Sequence, residues 1–430
     1  MLGLVLCLGG AVLAIPAAVL LVETLVAVWP ARRPIRADAV EAAGAAPRAA
    51  VLIPAHDEAS GIAETVGSML PKLGPNVRLI VIADNCTDQT AALAGTAGAE
   101  VLERHDPDHR GKGFAIAFGL RHLDADPPEV VVLIDADCRI SSGGIGLLAA
   151  AAARTGRPVQ AEYLLGAPAR PSPISVISTL AFLMRNRVRP LGLYRMGMPC
   201  QLTGSGMAFP WRVLRDAPET GSNLVEDLVM GIEMSLAGHP PTWCPQVRVS
   251  SELPQSRAAA AKQRRRWEHG QLHTLSQYAP RLLIAGVRGP SPGLAWLGLD
   301  LTVPPLALLV AAQTGWLAVC GLAAALGLAG RAPVGVAAAG LGAVGCAVAL
   351  AWVRFGRATI PLRYLLFIPL YVLWKIPLYV SLVFRGKQAT WDRTARDPAA
   401  GSAGDGVEAR KPADTGLSHD PDSASTADLR

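Results

Sequence analysis

Aromatic residues make up only 5% of this chain although 51% of it is hydrophobic, so Ala, Val, Leu and Gly carry the apolar content. Paired cysteines are missing too. The seven cysteines have no C-x-x-C spacing, and Cys7, Cys320 and Cys346 lie inside apolar runs. That excludes a disulfide framework and a zinc cluster and points to a cytosolic main domain, with Cys86 and Cys138 as small apolar fillers. There is no H-E-x-x-H pattern around His269 and His273, which read as ordinary helix-face residues, and no Walker-type phosphate loop. Outside residues 262–267 no basic run is interleaved with aromatics, which argues against a nucleic-acid partner. Internal repeats are also absent.

What is present is length, basic charge and long apolar runs. A chain of 430 residues can hold a catalytic domain with a full core as well as membrane segments. The formal charge of +6 understates the body: residues from Asp397 onward carry −4, leaving the rest near +10. Such a bias suits anionic headgroups and phosphorylated substrates. Residues 1–30 read as a transmembrane anchor, apolar from 2 to 28 except for Glu23, and long enough to span a hydrocarbon core of about 30 Å. A cleaved signal peptide is the alternative, disfavoured by the missing basic n-region. Arg32, Arg33 and Arg36 then place the following residues on the cytoplasmic side.

Residues 31–48 read as a linker rich in Ala, Pro and Arg. A C-terminal transmembrane region, 291–385, holds apolar runs at 303–328, 332–353 and 361–384, the last interrupted by Lys375 and Pro377. The cluster Arg385, Lys387, Arg393 and Arg396 argues for an internal tail, whereas three crossings would put it outside. Residues 386–430 read as disordered. Residues 172–192, apolar but carrying Arg185, Arg187 and Arg189, read as an amphipathic segment on a membrane or protein surface.

Between 49 and 255 the pattern is alternating. Strand-like runs at 49–54, 77–83, 99–103 and 130–135 are separated by helical patterns at 60–71, 87–97 and 112–124. This predicts an α/β domain with a mostly parallel, Rossmann-like sheet, in which ligands bind at the carboxyl ends of strands. Three strands end in polar clusters: His56-Asp57-Glu58, Asp84-Asn85 and Asp135-Ala136-Asp137.

Each cluster admits a structural and a chemical reading. Asp135 and Asp137 offer hard oxygen ligands to Mg2+ or Mn2+, or are solvated acids at a strand end. Because alternate strand residues point to opposite faces, both reach one ion only if the chain bends there. Asp84 suits a nucleobase or ribose hydroxyl, while Thr87 and Asp88 beside it, like Glu58, suit a helix cap. Gly111-Lys112-Gly113 opens a helix, where the dipole and close backbone approach favour a diphosphate. Glu226-Asp227 begins another helix: a capping pair, or a carboxylate placed to take a proton from a sugar hydroxyl. Gln263, Arg266 and Trp267 share adjoining parts of one face of a basic helical region, 256–290, that reads as interfacial. Arg can meet phosphate oxygens there and Trp a sugar ring, or Trp simply marks the interface.

Taken together, Pro54–Glu58, Asp84, Gly111-Lys112-Gly113, the D-A-D at 135–137, Glu226-Asp227 and the Q-R-R-R-W at 263–267 resemble family 2 glycosyltransferases. The likeness is to the membrane-integrated branch with cellulose, chitin and hyaluronan synthases and ceramide glucosyltransferase, and it covers about residues 49–270. The resemblance implies a GT-A fold and an inverting transfer. By it Glu58, Asp84, Lys112, Asp135 and Arg266 would bind the donor, Asp137 a divalent metal, and Asp227 would be the catalytic base. Gly204, Ser205, Glu226, Gln263 and Trp267 would meet the acceptor, the first two within a Thr203–Met207 loop. Two departures stand out: Val225 replaces the Thr usual in polymer synthases, and the membrane spans are few.

These features lead to the expectation of a membrane enzyme with its catalytic domain in the cytoplasm. It would move a sugar from a nucleoside diphosphate donor, a UDP-sugar, to a lipid or glycan acceptor. The alternatives are a processive polysaccharide synthase and a catalytically silent envelope scaffold.

Overall fold

The computed structural model describes residues 1–30, 46–166, 171–217, 226–252 and 257–385. Most of the expected linker, the tail from 386 and Val225 lie outside the described residues. Along the chain, α1 (Leu2–Val28) precedes β1 (Ala49–Ala55), α2 (Ile62–Met69), β2 (Val77–Asp84), α3 (Thr90–Thr96), β3 (Glu100–Arg104), α4 (Lys112–Leu123) and β4 (Val130–Leu133). Next come β5 (Arg139–Ile140), α5 (Gly144–Thr155), β6 (Val159–Gly166), α6 (Pro173–Leu183), α7 (Arg189–Arg195), β7 (Met207–Pro210), α8 (Trp211–Arg215), α9 (Glu226–Leu236) and β8 (Thr242–Glu252). Helices then continue as α10 (Arg257–Arg288), α11 (Pro292–Leu301), α12 (Leu306–Ala325), α13 (Ala332–Ala351) and α14 (Ile368–Arg385).

The strands form one sheet in the order β3-β2-β1-β4-β7-β6-β8-β5. Its first four strands are parallel, with Ala49 opposite both Val77 and Val130. β7 runs antiparallel between β4 and β6, which makes the sheet mixed at that side. Strand periodicity sorts the apolar runs onto two faces. Val51, Ile53, Val81 and Val132 pack with α2 and α5, while Leu52, Ile80, Ile82 and Leu133 pack with α4. Burial on both faces explains why these strands read as continuous hydrophobic runs. Since β1, β2 and β4 run the same way, their polar carboxyl ends emerge along one edge.

Four helices are long and apolar enough to cross a membrane: Leu2–Val28, Leu306–Ala325, Ala332–Gly356 and Leu362–Val380. Their outward faces carry exposed apolar residues such as Leu4, Leu8, Val12, Leu322 and Leu370.

The segment expected on a surface, 172–192, is instead interior. α6, a π-helical turn at Met184–Val188 and α7 are wedged between the sheet and the apolar helices, with Leu180, Met184, Val188 and Leu191 in the same cluster as Leu20 of α1. Its charges are used inside the protein. Arg189 is buried, donating through Nε to Glu23 Oε2 at 3.1 Å and through Nη2 to the Asp300 carbonyl at 2.6 Å and to its carboxylate. Trp296 adds a bond to Glu23 at 3.4 Å and Gln201 one to Asp300 at 2.6 Å. Arg195 caps the carboxyl end of α1, donating to Val26, Ala27 and Trp29 carbonyls at 2.6–3.0 Å. Gly192 permits the crossing, because a Cβ there would sit 2.2 Å from the Glu23 carbonyl oxygen. Glu23, the one charged residue of the first run, thus joins that helix to the α/β domain.

Removing Arg189 strands two buried carboxylates. Arg189→Met should cost about 3–5 kcal/mol, the usual penalty for breaking a buried ionic cluster. In detergent it should melt well below wild type, and the triple variant E23Q/R189M/D300N should recover most of the loss. Equal melting of R189M and wild type would show that the cluster is not structural.

Candidate functional site

A cavity of about 690 Å³ opens at the carboxyl ends of β1, β2 and β4. Glu58, Asp84, Lys112, Asp135, Asp137, Gly204, Glu226, Asp227, Gln263, Arg266 and Trp267 all line it. Residues from Glu58 to Trp267, remote in sequence, therefore line one cavity.

Each arrives for a local reason. β2 ends at Asp84, and the chain turns through Asn85 in a left-handed conformation (φ 51°), leaving Asp84 buried on the cavity wall. Arg104, from the end of the neighbouring β3, donates to Asp84 Oδ1 at 2.5 Å and to Asp106 at 2.9 Å. Glu58 takes its place through its own amide, which donates to Thr90 Oγ1 at 2.7 Å, while Asp88 receives the Ala59 and Thr90 amides. The capping reading of that acidic group therefore holds for Asp88.

Lys112 is the electrostatic centre. It opens α4, donates to Asp135 Oδ1 at 2.5 Å and to the Gly204 carbonyl at 2.6 Å, and has Glu226 and Asp227 close enough to act on its charge. Burial pulls its ammonium down, but the three carboxylates outweigh burial and hold it above its ordinary value. Burial pushes the Asp135 carboxyl up, with Lys112 opposing and Asp137 adding to the rise. Glu226 is raised in the same way, by burial first, against Lys112 and with Asp227.

The loop before β7 completes this wall. Gly204 has φ 93°, and a Cβ there would lie 3.3 Å from Asp227 Oδ2. Only glycine lets this backbone approach the carboxylate while its carbonyl holds Lys112. Ser205 corrects the sequence reading of an acceptor contact. It is fully buried and does not line the cavity. Its hydroxyl accepts from the Asp135 amide at 3.0 Å, and its carbonyl accepts from Gln160 at 2.9 Å. It supports the Asp135 backbone from behind.

On the facing side, Gln263, Arg266 and Trp267 of α10 present together, as i, i+3, i+4 spacing requires. Trp267 packs on Phe182, ring centroids 6.0 Å apart, and Phe182 on Tyr163 at 5.6 Å. The next residue, Glu268, forms an ion pair with the buried Lys375 of α14, so the interrupting lysine of the third C-terminal run holds this helix in place. Arg185, Asn186, Thr203 and Tyr163 also line the cavity. Arg104 and Gln160 carried no readable signal, and Arg185 was obscured by the amphipathic appearance of its segment.

Ligand oxygens of Asp135 and Asp137, with Cys138 Sγ, lie within 4.8 Å of one another. The carboxylates fit a hard divalent cation; the Cys138 thiol, pushed up by burial, does not. The chain does bend here, since β4 ends at Leu133 and the Cys138 amide bonds back to the Asp135 carbonyl at 3.0 Å.

The family model described as glycosyltransferase like family 2 matches residues 47–270. Glucosyl-3-phosphoglycerate synthase of Mycolicibacterium paratuberculosis is 35% identical over 108 residues, 23% of this chain and 31% of that protein. The chain thus spans about a third of the length of this curated relative. Among solved structures, a Pyrobaculum calidifontis mannosyltransferase in complex with GDP-Man and Mn2+ aligns with a TM-score of 0.48 and 16% identity, over 87% of this chain and all of that one. Glucosyl-3-phosphoglycerate synthase of Mycobacterium tuberculosis, in complex with Mn2+, UDP-Glc and phosphoglyceric acid, aligns at 0.39 and 22%, over 57% and 85%.

Lys112→Met should expose the repulsion it balances. A carboxyl raised above its unfolded value destabilises the fold above its folded pKa, and the penalty fades as pH falls through that pKa. Asp135 and Glu226 are raised already and would rise further. K112M should lose roughly 3 kcal/mol at about pH 8, and the gap in melting temperature should narrow as the pH falls, closing only toward the ordinary carboxylate range, about 4. A gap that is constant or widens on acidification contradicts this electrostatic account.

Proposed function

Because the chain belongs to the glycosyltransferase like family 2 and joins a GT-A α/β domain to N- and C-terminal transmembrane helices, we propose that it is a membrane-bound inverting glycosyltransferase. It moves a sugar from a nucleoside diphosphate donor, a UDP-sugar, to a lipid or glycan acceptor at the cytoplasmic face. The observation that carries this reading is the convergence of Asp84, Asp137, Asp227 and Lys112 on one cavity.

Asp84 and Glu58 face the nucleoside end, where a carboxylate accepts from ribose or base donors. Mg2+ or Mn2+, held by Asp137 with Asp135 beside it, would supply electrostatic stabilisation of the leaving diphosphate. Lys112 and Arg266 add fixed positive charge on that side. Asp227, held against Gly204 and close to Lys112, takes the proton of the acceptor hydroxyl as its oxygen attacks the anomeric carbon. Attack from the face opposite the diphosphate breaks the old C–O bond as the new one forms, so the configuration inverts. Gln263, Glu226 and Trp267 border the acceptor, with Trp267 offering a sugar ring an apolar surface.

Four helices long and apolar enough to cross a membrane support a reaction at a bilayer, and the arginines that follow the first apolar run in the sequence, Arg32, Arg33 and Arg36, support a cytoplasmic domain. The small number of long apolar helices among the described residues supports a single addition.

Asp227→Asn keeps the shape and removes the base. Transfer of labelled sugar should fall by about 10²–10⁴-fold, while Mn2+-dependent UDP binding by calorimetry stays within a few-fold of wild type. Near-normal turnover would remove Asp227 from the role of base. Sizing the product by mass spectrometry should give one added residue; a ladder would make the enzyme a polymer synthase.

A further inference from the structure

A second, mainly apolar cavity of about 100 Å³ lies between the α/β domain and the apolar helices. Leu20 of α1, Val303, Leu306 and Ala307 at the start of α12, and Tyr371 of α14 form its walls. It shares Phe182, Arg185 and Trp267 with the large cavity, so the two adjoin at these side chains.

Arg185 stands at that junction with no bonded counter-ion, the carboxylates of Asp227, Asp300 and Glu268 acting on its charge without touching it. It makes no hydrogen bond or ion pair among the described residues, and its Nε is shielded from solvent with no acceptor. The neighbouring Arg189 is paired with Glu23 and Asp300, and Glu268 pairs with Lys375 through Oε1, its Oε2 being buried without a partner. Arg264, on the wall of the second cavity, stacks over Trp374 at 5.5 Å, and its Nε is likewise without an acceptor. Beside Arg185, the Asn186 Oδ1 and Thr203 Oγ1 atoms on the large-cavity wall are also buried and unsatisfied. Arg185 is half-buried, and a donor sealed from water without a partner, as its Nε is, is costly. Burial lowers its pKa, with Arg189 adding to this and the carboxylates of Asp227, Asp300 and Glu268 opposing it. The π-turn at Met184–Val188 places this cluster at the junction, and such turns recur where helices serve ligands.

We infer that Arg185 binds the anionic group, of phosphate type, of an amphiphilic acceptor, the first methylenes of whose hydrocarbon chain pass through the second cavity. This deepens the acceptor side of the proposed transferase: one molecule carries the chain, the anion at Arg185 and the hydroxyl presented to Asp227. Lining from helices long enough to span a bilayer gives the chain a route from lipid, and the excess of unpaired arginine selects a negative headgroup.

The full-length protein in phosphatidylcholine nanodiscs tests this by retention of labelled hexadecyl phosphate, hexadecanol or inorganic phosphate. Wild type should hold hexadecyl phosphate at least tenfold more tightly than hexadecanol or inorganic phosphate. Arg185→Gln should erase the preference over hexadecanol, and Arg185→Lys should keep part of it. Ala307→Leu, which fills the second cavity, should weaken hexadecyl phosphate and spare inorganic phosphate. Mn2+-dependent UDP binding should be unchanged in all three variants; it reports folding and tests the donor reading separately. Equal retention of hexadecyl phosphate and hexadecanol by wild type, or a preference that survives in R185Q, would overturn the inference. Inorganic phosphate binding as tightly as hexadecyl phosphate would also overturn it, showing a site for a free anion.

Discussion

One ammonium among several carboxylates organises the candidate site. Asp135 follows β4 while Glu226 and Asp227 open α9, and like charges in a shared cleft repel unless a cation sits between them. Lys112 supplies that cation, and its second bond, to the Gly204 carbonyl, ties the helix start to the loop that meets Asp227. The same four groups are those a diphosphate and an attacking hydroxyl would need. Structural balance and proposed chemistry thus rest on one set of charges.

A second constraint is how apolar helices are held to a polar domain. Lipid gives no hydrophobic drive for packing one apolar helix on another, so close contact and buried polar bonds must do it. Arg189 links Glu23 of α1 to Asp300 of α11, and Lys375 of α14 links to Glu268 beside Trp267. Both bridges end next to cavity walls. The position of α10, and with it Arg266 and Trp267, therefore depends on helices far along the chain.

The α/β domain was readable because its strands are short, β-branched and followed by turn chemistry. Runs read at 49–54, 77–83 and 130–135 match β1, β2 and β4 to within two residues at their ends. The polar residues at those ends lie on the cavity because parallel strands must end together. Residues 172–192 were misread for a physical reason. Arginines in an apolar stretch look like a solvated face, yet Arg189 is neutralised by Glu23, 166 positions away, a pairing no local pattern reveals. Ser205 was likewise placed one layer too far forward, because alternation in a tight loop does not tell which side chain faces the cavity.

Local order was thus decided by the sequence alone: alternating strands and helices, apolar runs long enough to span a bilayer, and acids at strand ends, all set by periodicity and backbone preference. Which charges meet was decided only in three dimensions. The sharing of Lys112, the satisfaction of Arg189 and the solitude of Arg185 depend on distances between segments remote in sequence. Coulomb interactions and desolvation follow those distances, and the order of residues does not contain them.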